Sequence, residues 1–590
     1  MAETVGFLIL NAVFEAGPIA GFTWSASTAA IVGNVAIATA AIGASYALSP
    51  DAPTSKASDG QIITRQALPT RRRYYGYVKI GGALVFSETK AGIRYQIYAL
   101  NQGRLDHYLE HWLADVHVIV DGGGVVTESY SMGDNHFVTL AASLGTDDEA
   151  VVETVNAFFP DIWTVDHRLR GVAKVLLTTR QPGQEDFSKV YPGGQTPVHR
   201  SVVAASPVWD PRQPGQDRNT EAGWSFSENA VLNILDFHRD EDGMGLGSFD
   251  GIFFTDAAIA EDWIPAANIC DELLSLKGGG TRMRYALGGG YDLPAPTKTT
   301  LSGMLAACDG WIYQRPDGAI GIKVGKVVAP TVTIGPDDIL TYTGFRKGGA
   351  YTLTPVNKIT GKYTERLLDF QEQDADPWLD QDSINRYGRE ELKDVQLQWV
   401  PFHPQARRLM KLAMCRARPE WSGTIVTRLS GIRAYSERYI HLVIPELMID
   451  GTFEFTAPWS IDTASLTCTM SVASLPQEAF DFDPETEEGT PPAVPGSAGP
   501  DVIESPASVE ADVEGSVIRL VWNPSGRDDT AAEAAYSVAL ADDWIAVDIG
   551  VSGLSATTPT LTAGTYDMRV RWVVGGLSSD WVIVDGIVVT

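Results

Sequence analysis

Much of the chain reads as short runs of branched and aromatic residues bounded by turns, the pattern of strands. Only a few stretches switch to a helical period. The aromatic and branched residues of Tyr74-Tyr75-Gly76-Tyr77-Val78-Lys79-Ile80 suit a strand closed by Gly81-Gly82. Strands continue at 84–86, 95–100 and 116–120, the last ending in the turn Asp121-Gly122-Gly123-Gly124. Residues 147–159 read as a helix with an acidic start and with Val151, Val155 and Phe158 on one face. Ser225 and Glu228 have the spacing of a capping box, ahead of an apolar face of Val231, Leu232, Ile234, Leu235 and His238. A helix over 262–276 would pack with Trp263, Ala267, Cys270 and Leu274. Another over 300–308 would pack with Leu301, Met304, Leu305 and Cys308 and end at a glycine cap, Asp309-Gly310.

The tight turn Arg315-Pro316-Asp317-Gly318 between Trp311-Ile312-Tyr313-Gln314 and Ala319-Ile320-Gly321-Ile322-Lys323-Val324 predicts a hairpin. Helix followed by hairpin means α+β construction rather than a parallel nucleotide-binding sheet. Strands follow at 331–334 and 356–363, then a helix opened by His403-Pro404 and ended by Pro419. Arg407, Lys411 and Arg418 share one face of that helix, while Leu409, Leu412 and Ala413 face elsewhere. Exposed and buried positions alternate at 516–522 and 564–573.

The amino-terminal fifty residues break the pattern. No charge occurs between Glu15 and Asp51, and 29–48 is a near-continuous small, apolar run long enough to span a bilayer. Met1-Ala2-Glu3 lacks the basic start of a signal peptide. Ala29, Gly33, Ala36, Ala40 and Ala44 recur at helical steps, giving a face on which helices approach closely. Three readings are open: a helix buried against its own copies on an assembly axis, a segment released into a bacterial membrane, or a resident anchor. The membrane or axial contacts would be Ile31, Val32, Val35, Ile37 and Ile42.

The domains expected are an apolar, helical 1–50, a linker 51–65, a β-rich 66–205, an α+β 206–345, and a β-rich 346–480 with one basic helix. An acidic Pro/Gly linker 481–505 then leads to a sandwich 506–590. The chain is multidomain and mainly β.

Charge narrows the function. With 590 residues and a net charge of −29, the chain suits neither wrapping nucleic acid nor gripping phosphate. The triplet Arg71-Arg72-Arg73 reads as surface or subunit-interface charge, and the stripe Arg407, Lys411, Arg418 as a basic interface pairing with acidic neighbours or another subunit. Asp240-Glu241-Asp242 lacks calcium-loop spacing and reads as a solvated loop, whereas the carboxylates of 374–382 alternate in a way that could hold calcium, a solvated loop being the alternative. Cys270, Cys308, Cys415 and Cys468 lie far apart, as buried thiols do. There is no His-Glu-x-x-His helix, nucleophile elbow or phosphate loop. No catalytic, cofactor or metal site is expected.

Several motifs occur in an order that resembles the tail hub or tail-tip proteins of long-tailed bacteriophages, the lambda-type host-specificity group. They are 71–76, 168–173, Tyr191-Pro192-Gly193, 208–212, the helix–hairpin unit 301–324 and Arg418-Pro419-Glu420-Trp421. An apolar start before an arginine-rich strand is similar to tail proteins of alphaproteobacterial phages. The module at 506–590 resembles a fibronectin type III sandwich. The resemblance makes 66–480 the hub domains. It implies a homotrimer that closes the distal tail tube in the virion, made in the host cytoplasm. It further implies docking to the distal tail protein and the tape-measure protein, with a role in host attachment and genome delivery. A receptor-binding fibre and the host envelope are further partners it allows, with DNA passing through unbound. The rival functions are a cell-wall or polysaccharide hydrolase and a membrane-anchored adhesin.

Overall fold

The structure is a computed structural model that describes residues 69–127, 129–293, 296–326, 328–347, 356–457, 460–462, 464–492, 505–524, 531–539, 541, 543–550, 553–574 and 577–590. The apolar run with Ile31, Val32, Val35, Ile37 and Ile42 lies outside them. Among the described residues no helix is long and apolar enough to cross a membrane. The fold is multidomain and mainly β, in two compact units, 1–492 and 493–590.

Unit 1 opens with a sandwich. One sheet holds Ala83–Lys90, Ile93–Gln102, Val172–Arg180 and Val138–Ser143 in that order. The other holds Tyr77–Ile80, His199–Ala204, His107–Leu113 and Val116–Val118. Tyr98, Leu100, Val175 and Leu177 meet Val78, Ile80, Leu113 and Val203 between them, all buried. The outer face of the first sheet is covered by Val155 and Trp163 against Phe86, Tyr95 and Ile97. The helix here is only Glu153–Phe158, shorter than 147–159, and Phe158 is exposed. The reason is that Glu149 turns inward. It accepts hydrogen bonds from Gly145 N and Ser143 Oγ and pairs with the buried Lys174 at 2.8 Å.

Strand Arg71–Tyr75 leaves this sandwich to pair with Gly289–Leu293 in the next layer. The crossing is at Gly76, whose φ is +67°; a Cβ there would lie 2.1 Å from the Leu287 carbonyl oxygen, so only glycine fits.

The second layer is helical at its centre. Helix Ala230–Arg239 is buried along nearly its whole length. Its cap is Asn229, not the Ser225 box. The Asn229 carboxamide accepts from Val231 N and Leu232 N and donates to Ala267 O and Asp271 Oδ1, while Glu228 pairs with Arg366 instead. Asn229→Ala is expected to cost about 2 kcal/mol in chemical denaturation, and Ser225→Ala less than about 0.5 kcal/mol. Equal effects would show that the buried amide is not the cap.

The helix expected over 262–276 runs instead from Asp256 to Cys270. It widens to a π turn over Ile259–Trp263 before Pro265, which has no N–H to donate back along the helix. It stops at Cys270 because Leu273–Ser275 and Thr281–Met283 form a hairpin, with positive φ at Gly279 and Gly280. Leu274 is therefore a strand residue. Helix Thr297–Cys308 and hairpin Trp311–Gln314/Ile320–Lys323 follow, Gly318 taking φ +87° in the turn. Helix His403–Ala417 packs on strand Lys358–Glu365 and its neighbours Trp378–Leu379 and Leu392–Leu397; Gln371–Asp374 pairs with the same strand. A seven-stranded sheet, centred on Ile449–Phe455 and Thr467–Ser474, completes unit 1 around Ile425, Ile440, Leu442, Phe453 and Met470.

Unit 2 is a β-sandwich with Trp522 and Trp572 edge to face in its core. Tyr566 OH donates to Thr562 O at 3.0 Å, closing a tyrosine corner at the start of strand Gly564–Val574.

Candidate functional site

The charged motifs that stand out in the sequence fold onto one another. Arg71 lies 3.5 Å from Asp242 and Arg72 2.6 Å from Asp292; the buried Arg73 pairs with Asp236 at 2.7 Å and Asp240 at 2.9 Å. Thus the acidic run 240–242 is no free loop. Its Asp240 and Asp242 are counter-charges of Arg73 and Arg71, held because Asp240 also accepts from Asp242 N and Gly243 N. Burial pushes the Asp236 carboxyl up, but Arg73 and Arg239 pull it below the usual carboxylate range.

The basic stripe behaves alike. Arg407 is buried, donates to the carbonyl oxygens of Asp376 and Glu487, and lies over the Trp378 ring. Lys411 donates to Asp481 O and Glu487 Oε1, both at 2.6 Å, and Arg418 pairs with Asp380. Of the carboxylates at 374–382, Asp380 meets this helix, and it also caps Gln381–Tyr387. Residues 481–490, expected to be linker, dock here: Glu488 accepts from Lys277 N, and Thr490 N donates to Asp376.

A third cluster had no signal in the sequence. Asp309 ends helix Thr297–Cys308 in the left-handed conformation, φ 49°, where a glycine cap was expected to follow. Its buried carboxylate pairs with Arg416 at 2.6 Å and Arg438 at 2.8 Å, and both arginines also reach Glu454. Burial raises this carboxyl; the two arginines overcome that and lower it. Three of the four thiols are buried and the fourth, Cys415, half-buried; burial pushes all four up, away from reactive thiolates.

A fourth cluster lies inside the first sandwich. His111 Nδ1 is 3.3 Å from His199 Nε2, and Ser201 Oγ is 2.9 Å from each. His199 and Ser201 are fully buried, whereas His111 lines an open cavity of about 650 Å³ with Leu109, Glu110, His117, Asp121 and Leu140. Burial, and then a neighbouring imidazole, lowers His111 to about 4 and His199 to about 3, so both are neutral at pH 7. Alternation along His199-Arg200-Ser201 puts 199 and 201 on one face; nothing in the sequence tells that His111 pairs across from Ser201. Among the described residues no three His, Cys, Asp or Glu side chains are grouped to hold a metal.

No family model matches the chain, and no curated protein does. Solved structures similar to it include a chain of the virion of a native gene transfer agent particle, at 13% identity and TM-score 0.48. That match covers 79% of this chain and 100% of that one. A tail protein from Neisseria meningitidis MC58 matches at 10% identity and TM-score 0.25 over 70% and 94% of the two chains. A fibronectin-type-III-like protein from Clostridium thermocellum matches at 18% identity and TM-score 0.12 over 14% and 91%. All three scores lie below 0.5, so none of them carries the functional reading.

Proposed function

We propose that the chain is a structural protein of a bacteriophage-type tail, a hub at the distal end of the virion that works by self-association and carries no reaction centre. The motif order from 71 to 421 suggests this reading. The observation that carries it is the internal use of charge: the arginine triplet and the basic stripe both spend their cations on the chain's own aspartates, glutamates and carbonyls. A phosphate-gripping protein would hold such cations open to solvent. A net charge of −29 suits a wall along which DNA slides without sticking.

On this reading the hub is a homotrimer that meets the distal tail protein and the tape measure and takes part in attachment and genome delivery. Residues 1–50 serve for axial plugging or membrane contact. Electron microscopy of the purified protein is expected to show threefold particles, and antibodies to find it in virions. A phage lacking residues 1–50 is expected to make hub of normal stability and lose assembly or genome delivery. Wild-type infectivity of that phage would refute the role given to 1–50. Monomers that digest cell walls would refute the hub.

A further inference from the structure

We propose that the first sandwich carries a transition-metal site, in which His111 Nδ1, His199 Nε2 and Ser201 Oγ hold one zinc-like divalent cation. The three atoms form a triangle with sides of 3.3, 2.9 and 2.9 Å. A nitrogen–nitrogen separation of 3.3 Å is long for a hydrogen bond. It matches the chord of about 3.3 Å that a tetrahedral angle subtends between two nitrogens at about 2.05 Å from a shared zinc. The hydroxyl oxygen, 2.9 Å from each nitrogen, has to move out by about 0.4 Å to take a third tetrahedral corner.

The scaffold suits the task. His111 sits opposite Ser201 on paired strands, and His199 is two residues along the same strand, so sheet pairing rather than a loop fixes all three donors. Nδ1 of His199 is buried without a hydrogen-bond partner. A proton placed on that nitrogen leaves Nε2, which faces His111 Nδ1 and Ser201 Oγ, with its lone pair toward the site. His111 also lines the cavity of about 650 Å³, which brings solvent to one ligand of the site. Two imidazoles and a hydroxyl are a sparse set, and moderate affinity follows, well short of a closed four-ligand structural site.

The test is titration of the full, chelator-treated chain with Co²⁺ at neutral pH. The expected result is one equivalent bound with the strong visible absorption of four-coordinate cobalt, displaced by Zn²⁺. His111→Gln is expected to weaken binding on the order of 100-fold and Ser201→Ala on the order of 10-fold. His441→Asn, at a solvent-accessible contact with Asp450, is expected to change nothing. Circular dichroism on each variant separates loss of ligand from loss of fold. A wild-type chain that gives only the weak spectrum of six-coordinate cobalt overturns the site, as does a folded His111→Gln protein that binds like wild type.

Discussion

Acidification from pH 7 to about pH 5 is expected to lower the melting temperature of unit 1 while leaving that of unit 2 in place. His238 and His403, neither of them in the proposed chelate, are both held near pKa 4 by burial. His238 directs Nδ1 at Ile234 O and packs its ring edge on Trp263. His403 Nε2 accepts from Asp376 N, with Arg407 close by, so a proton added there meets another donor and a like charge. The sign follows directly. Above pH 6.5 both histidines are neutral folded or unfolded and the stability is complete. Below it the unfolded chain gains protons that the native one refuses, so stability falls until the folded pKa is passed. Each group costs about 1.4 kcal/mol per pH unit across that window. By about pH 5 the pair removes roughly 3–4 kcal/mol, a shift of several degrees. All nine histidines precede residue 442, so unit 2 serves as an internal control in one calorimetric scan. Parallel shifts of both transitions, or none, would sink the account.

The second large effect is expected at Asp309. Asparagine tolerates the left-handed conformation almost as aspartate does, so Asp309→Asn keeps the backbone and removes only the charge. Arg416 and the buried Arg438 then lose the carboxylate they share, while keeping Glu454 and, for Arg438, the Asp309 carbonyl. Breaking a buried pair in this way costs about 3–5 kcal/mol. If Asp309 were only a helix cap, the change would cost less than about 0.5 kcal/mol. Urea denaturation followed by tryptophan fluorescence separates the two values. A double change of Asp309 and Arg438 to similarly sized neutral residues should recover part of the loss, because it removes one of the stranded cations as well.

Local rules were readable where one short stretch decides the outcome. The 311–323 hairpin and the helix opened by Pro404 form as periodicity and turn chemistry predict, and so does the tryptophan-centred sandwich of unit 2. Boundaries failed where a distant residue outbid the local signal. Glu149 was drawn to Lys174, and Glu228 was drawn from its capping role to Arg366, 138 positions away. The partners of the arginine triplet could not be read for the same reason. Arg73 and Asp236 are 163 residues apart, and no period or motif announces that they touch. Residues that look like open charge in a sequence become counter-charges once the chain has doubled back.

The docked segment 481–490 has a mechanical corollary. A pull on the carboxy-terminal module cannot load strand Thr467–Ser474 until that segment is stripped from helix His403–Ala417. Its grips include exposed or half-exposed polar contacts that water can replace in turn, such as Lys411 with Asp481 and Lys277 with Glu488. Stripping ten residues would pay out about 35 Å of tether. The stretch is expected to give way before the sheets behind it.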